Sequence, residues 1–197
     1  MRISSKSCRP APCALIALVV MALLVFAGDA SPRENPVASS PPEGGARWGL
    51  EPGMNAPGFV LKDIDGGSFD LQAERAKSPV LLLFFSMFCE PCRRGLADAQ
   101  KLQKRFGGAR LRVAAVALDG EPLRETVLGF ARQEGYGFRV LVDKTDDQER
   151  FMAASLFRVT EIPTIFLVDN SGRIVLAKKG AIPEEEIEKF LSSVGKQ

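Results

Sequence analysis

Histidine is absent from this 197-residue chain, and cysteine occurs only four times. A structural zinc site usually needs four Cys or His ligands. Cys8 and Cys13 precede a hydrophobic segment that separates them from the rest of the chain, so Cys89 and Cys92 are left short of a zinc ligand set. An excess of charge of either sign is also missing: 26 Lys and Arg are interspersed with 24 Asp and Glu. That balance implies no nucleic-acid or anionic-membrane partner. No internal repeat is visible, and no cysteine stands at the end of the first apolar run, which argues against a lipoprotein.

What the chain does have is Cys89-Glu90-Pro91-Cys92, directly after the apolar run Val80-Leu81-Leu82-Leu83-Phe84-Phe85 and at the head of a helix-patterned stretch. A strand that delivers two thiols to a helix start points to redox chemistry. The first thiol lies where helix N–H groups are unsatisfied and the macrodipole is positive, which favours its thiolate. The second lies one turn on, placed to attack a mixed disulfide formed at the first. Pro91 lacks a backbone N–H and has a fixed φ, both harmless in a first helical turn. An inert structural disulfide here would close almost no loop and add little stability.

The N-terminus reads as an export segment over residues 1–30. Arg2, Lys6 and Arg9 precede the uncharged run from Ala14 to Ala27, followed by small residues at Gly28 and Ala30. The run has the length of a signal h-region. A retained membrane anchor is the alternative, since Ala11 to Gly28 could cross a thin bilayer if tilted. In both cases the basic end stays cytoplasmic and the remainder lies outside. Residues 31–46, rich in Pro, Ser, Gly and Glu, have little to bury and read as a flexible linker. Residues 47–197 suffice for one core-forming domain.

Within that domain, Asp65-Gly66-Gly67 separates two short strand patterns and predicts an opening hairpin. Val80 to Ser86 predicts a strand covered on both faces. Leu96, Ala99, Leu102 and Phe106 recur at helical spacing. A strand over Leu111 to Leu118, a helix from Pro122 to Glu134 and a strand over Phe138 to Val142 follow. The next helix is expected to start at Asp146, an N-cap type with Glu149 three residues on, and to end near Phe157. Strands on either side of Asp169-Asn170-Ser171-Gly172 predict a second hairpin. A last helix follows Pro183, with acidic residues in its first turn and Ile187, Phe190, Leu191 and Val194 on one face. This order predicts a three-layer α/β fold with a central mixed β-sheet and an added N-terminal β-hairpin.

Three segments in this order resemble the extracytoplasmic thiol-disulfide oxidoreductases of the TlpA/ResA type, which have the thioredoxin fold. They are Pro57 to Gly66, the strand ending in Cys89-Glu90-Pro91-Cys92, and Val159-Thr160-Glu161-Ile162-Pro163-Thr164 leading into Asp169-Asn170-Ser171-Gly172. The resemblance implies a catalytic pair, Cys89 and Cys92, that cycles through a disulfide. It implies a cis proline at Pro163 facing the dithiol, with the backbone of Ile162 open to pair with an extended substrate. It departs from its relatives at three positions: Phe88 stands where many carry Trp, Leu83 where thioredoxins bury an acid, and Gly95 where relatives often have Glu. Glu90 and Glu161 are then the candidate proton acceptors for Cys92, and Phe88 and Pro91 its expected cover.

The implied reaction is dithiol exchange with a protein disulfide substrate, without an organic cofactor or metal. A membrane thiol-transfer protein would be the electron donor, and apocytochrome c is one substrate the resemblance suggests. Two rivals use related chemistry. In a thiol peroxidase, Ser86 would occupy the Ser/Thr position three residues before the reactive Cys89, although Leu82 replaces the expected proline. In a copper chaperone the two thiolates would hold Cu(I), normally with a histidine that is lacking here.

Overall fold

A computed structural model of the chain describes residues 49–194. The export segment, the linker and Cys8 and Cys13 lie outside the described residues. The elements are β1 (Val60–Lys62), β2 (Ser68–Asp70), α1 (Leu71–Arg75), β3 (Val80–Phe85), α2 (Glu90–Phe106) and β4 (Arg112–Ala117). A 3-10 turn at Glu121–Leu123 then runs into α3 (Arg124–Glu134), followed by β5 (Arg139–Val142), α4 (Met152–Leu156), β6 (Thr164–Val168), β7 (Ile174–Lys179) and α5 (Glu184–Val194).

The expected hairpin forms: β1 and β2 pair antiparallel, with Gly66 at φ 89° in the turn. Positive φ there is cheap only for glycine. The Asp63 carboxylate ties the turn by accepting from the N–H groups of Asp65 and Gly67, at 3.0 and 2.6 Å. Ile64 N–H donates to Val140 O at 2.9 Å and fastens the hairpin to β5.

The remaining strands form one sheet in the order β5-β4-β3-β6-β7. β3, β4 and β5 are parallel, whereas β6 and β7 join antiparallel. β3 is central because all six of its side chains are apolar and buried. Leu81, Leu83 and Phe85 point into one core, with Leu96 and Leu102 of α2, Val127 of α3 and Ile187 of α5. Val80, Leu82 and Phe84 point into the other, with Phe59, Phe69, Leu71, Ala153 and Phe157. Right-handed crossovers from β3 to β4 to β5 step in one direction, so α2 and α3 share a face.

Two expectations need correction. The helix expected from Asp146 begins only at Met152. Asp146 instead closes a tight loop: its carboxylate accepts from the N–H groups of Gln148 and Arg150, both at 2.9 Å, and from the Arg150 guanidinium at 3.0 and 2.8 Å. These bonds, those from Arg150 foremost, hold its carboxyl below the usual range. Glu149 sits at φ 59°, a left-handed conformation that no helix accommodates. The helix start is held by a residue farther back, Asp143, whose two carboxylate oxygens accept from Ala153 N–H at 3.0 Å and Ala154 N–H at 2.9 Å. Asp143 is buried, and burial pushes its carboxyl pKa up against the pull of those bonds. The second correction is at the chain's last described turn, where Val194 is exposed rather than part of the α5 core stripe.

Two substitutions test this packing. A Cβ built on Gly95, on the buried face of α2, would meet only Leu83 Cδ1 and Cδ2, each at an ordinary 3.9 Å. Since glycine inside a helix costs about 0.5–1 kcal/mol relative to alanine, Gly95→Ala should raise Tm by about 1–4 °C; a fall would refute the placement.

Asp143→Ala leaves two buried N–H groups without an acceptor and should cost about 2–3 kcal/mol in urea unfolding. The folded-state pKa of Asp143 is raised above its ordinary value, so its contribution is complete below that ordinary value and declines as pH rises through the folded value. The gap between wild type and Asp143→Ala should therefore be widest below the ordinary carboxylate pKa and narrow as pH rises through the folded-state value.

Candidate active site

β3 ends at Phe85, and the next residues turn so that Cys89 becomes the N-cap of α2. Its backbone is extended, at φ −90° and ψ 106°, and its Sγ accepts from Cys92 N–H at 3.2 Å. That N–H is shared with the Cys89 carbonyl, at 3.0 Å, and the sulfur also meets the positive end of the helix. Pro91 lies in the first turn, where its missing N–H matters least. Cys89 and Cys92 are joined in a disulfide with Cα atoms 5.2 Å apart.

The two sulfurs differ in access. Cys89 is half-buried, whereas Cys92 is 0% exposed. The expected cover of Cys92 by Phe88 and Pro91 is not what buries it, because Phe88 is 75% exposed and Pro91 is exposed as well. Cys92 belongs instead to the core that contains Met87 and Leu96, drawn in by the helix that carries it.

The Ile162–Pro163 peptide bond is cis, as the resemblance implied. Thr164 pairs with Phe84 at the end of β3, so Pro163 stands one residue beyond that pairing, at the edge from which the cysteine turn leaves. Pro163 is buried, and its carbonyl accepts from Gly180 N–H at 2.9 Å. Ile162 and Cys89, both half-buried, pack against the core that includes Cys92.

The acids considered for Cys92 are engaged elsewhere. The Glu90 carboxylate lies 3.5 Å from Arg94, and Glu161 lies 2.6 Å from Lys179; both side chains are largely exposed. At the two positions where the resemblance implies an acid, as in thioredoxins at Leu83 and in the resembled type at Gly95, both residues are buried and apolar. Arg93, the other cation beside the dithiol, lies 3.8 Å from Glu134 and over the ring of Phe130 at 5.4 Å. Each arginine next to the dithiol is thus offset by a carboxylate, and exposed pairs of this kind contribute little net field.

Sequence reasoning missed Asp119. Its Oδ1 accepts from Ser86 Oγ at 2.7 Å and its Oδ2 from Met87 N–H at 3.2 Å. Ser86 Oγ accepts from Phe88 N–H at 3.2 Å, and Ser86 O accepts from Cys89 N–H at 3.1 Å. Every N–H from Met87 to Cys89 is therefore held by Ser86 or Asp119. One signal was available: Asp119 lies two residues past the end of a buried strand, at the carboxyl edge of a parallel sheet, where α/β sites collect. Ser86, noted in the peroxidase comparison, has its hydroxyl committed to this bracing.

A model of the AhpC/TSA family matches residues 52–177. Thiol-disulfide oxidoreductase ResA of Geobacillus kaustophilus (strain HTA426) is 31% identical over 142 residues, covering 72% of this chain and 77% of the relative. Thioredoxin-like protein YneN of Bacillus subtilis (strain 168) is 30% identical over 143 residues, covering 73% of this chain and 80% of the relative. The thioredoxin domain of a thiol-disulfide oxidoreductase from Bacteroides vulgatus superposes with a TM-score of 0.62 at 22% identity, covering 72% of this chain and 99% of that domain, a likeness of fold. The family match spans both the dithiol and the strand that follows Pro163, and with these relatives the chain belongs to the AhpC/TSA family, as a thiol-disulfide oxidoreductase with a thioredoxin-like fold.

Proposed function

We propose that this oxidoreductase reduces disulfides in exported proteins, with Cys89 as the attacking thiolate and Cys92 as the resolving thiol. The observation that supports this reading best is the asymmetry of the pair: Cys89 is reachable and receives a helix N–H, while Cys92 is fully buried behind it. In the forward step the Cys89 thiolate attacks one sulfur of a substrate disulfide. That S–S bond breaks, the other substrate sulfur leaves as a thiolate, and a mixed disulfide forms. Cys92 then loses its proton and attacks Cys89 Sγ, releasing the second substrate thiolate and closing the Cys89–Cys92 disulfide. Two electrons pass to the substrate, and an external dithiol returns them.

Ile162 and Pro163 border the place where an extended substrate segment would lie against the dithiol, and exposed Phe88 offers it an apolar contact. The reading places the domain outside the cytoplasm, delivered or tethered by residues 1–30 and spaced by residues 31–46. The external dithiol is then a membrane thiol-transfer protein. Apocytochrome c, whose haem-attachment cysteines must be reduced, is one substrate class. Against a peroxidase role stands the commitment of Ser86 Oγ to Asp119.

Cys92→Ser should leave Cys89 as a nucleophile but remove the resolving thiol. In exported extracts run without reductant it should appear in larger species that collapse when reductant is added, whereas Cys89→Ser should capture far less. Equal, low capture by both variants, or peroxide consumption by the wild type, would reject the proposal.

The loop between the cysteines, Glu90-Pro91, carries no cation to favour the thiolate. The potential should therefore lie nearer thioredoxin, at about −270 mV, than the strong oxidant DsbA, at about −120 mV. Equilibration with a glutathione couple measures it, and a value on the DsbA side would contradict a reductase.

A further inference from the structure

Loop N–H groups just ahead of a reactive cysteine can converge on its sulfur and stabilise an anion there. In this chain the N–H groups of Met87, Phe88 and Cys89 are turned to other acceptors, and Asp119 organises the first two. It takes the Met87 N–H directly. Through its bond from Ser86 Oγ it also orients the serine lone pair that takes the Phe88 N–H, while the serine carbonyl takes the Cys89 N–H. The donor left facing Cys89 Sγ in this group of contacts is Cys92 N–H, from the helix.

We propose that Asp119 is a positioning residue for the exchange reaction: acting through Ser86, it fixes the turn that presents Cys89 and limits how far the Cys89 thiolate is stabilised. The inference rests on Cys89 being the attacking thiol. Asp119 acts in two ways. It withholds the loop N–H groups from the sulfur, and it places a negative charge behind the turn. That charge is not cancelled by the arginines of α2, because Arg93 and Arg94 face Glu134 and Glu90. Asp119 is half-buried, so its field is screened less than theirs, whose side chains are 48% and 69% exposed. A nearby negative charge disfavours the thiolate. A less stable thiolate makes the dithiol form less favourable relative to the disulfide, which keeps the pair reducing.

The test uses the full chain carrying Asp119→Asn, which preserves shape while removing charge. Its amide oxygen can accept from Met87 N–H, and its NH2 can donate to Ser86 Oγ once the serine proton rotates away. Two quantities are read: the pH dependence of iodoacetamide alkylation at Cys89, mapped by mass spectrometry, and the equilibrium with glutathione. The alkylation midpoint should fall by about half a pH unit, the order of effect of removing one charge near a partly screened site. The equilibrium should move about threefold towards the dithiol, or about 14 mV at 29.6 mV per tenfold for a two-electron couple. Asp119→Glu, which keeps the charge, should restore both towards wild type.

A residue that merely braces the loop would lower Tm and leave midpoint and equilibrium where they were, and that result overturns the proposal. If Asp119→Asn does not fold, Ser86→Ala takes its place. It frees the Phe88 N–H and should lower the midpoint in the same direction, and an unchanged midpoint again overturns the inference. Failure of the functional reading looks different, since wild-type Cys89 would then neither alkylate preferentially nor exchange with glutathione.

Discussion

The burial of β3 on both faces is the constraint from which the site follows. Six apolar residues cannot lie at an edge or face water, so Val80–Phe85 takes the centre of the sheet and is paired with β4 on one side and β6 on the other. Once that is fixed, the chain must leave the sheet at Phe85, and the helix that follows must cover the face to which Leu81, Leu83 and Phe85 point. The cysteines sit at the junction. Cys89 is the last residue outside the helix and Cys92 the first turn within it, so one sulfur stays near water while the other enters the core. The antiparallel arrival of β6 brings Pro163 to the same edge. The difference in access between the two thiols is thus a property of the strand and helix that carry them.

The electrostatics of the site are set without histidine. The positive end of α2 and the Cys92 N–H favour an anion at Cys89, and the adjacent arginines are balanced by acids at distances of 3.5 and 3.8 Å. Asp119 acts in the opposite sense, from beneath the turn. Such a balance suits a dithiol that must give electrons up: a thiolate stabilised by many donors is a good leaving group, and its reduced form then holds on to its electrons.

The sequence made legible whatever repeats or punctuates. β3 was readable as an unbroken apolar run, α2 from Leu96, Ala99 and Leu102 at helical spacing, and the opening hairpin from its Asp-Gly-Gly turn. Cys89, Cys92 and Pro163 were readable as motif positions. What stayed hidden depends on side chains reaching the backbone across sequence gaps. Asp143 holds the N–H groups of Ala153 and Ala154 across ten and eleven positions, and Asp119 holds Ser86 and Met87 across 33 and 32. No periodicity marks such contacts. Asp146 misled for a related reason, since its carboxylate suits an N-cap and a tight loop equally well, and the local bond from Arg150 decides between them.

The burial of Leu83 and Gly95, neither of which carries an acid, bears on how Cys92 loses its proton. A thiolate is costly where water is excluded, and Cys92 is 0% exposed, in the core with Leu96 and Met87. Its attack on a mixed disulfide therefore cannot begin from a standing anion and must coincide with proton removal from the open side of the pair. Glu90 and Glu161 are held outward by Arg94 and Lys179. The group that necessarily approaches from the open side is the substrate, which contributes a thiolate when its disulfide is first broken. That sulfur can take the proton while Cys92 attacks Cys89, so no free thiolate has to form in the core. An exchange enzyme with an apolar wall behind its resolving thiol can run on a proton acceptor that arrives with each substrate.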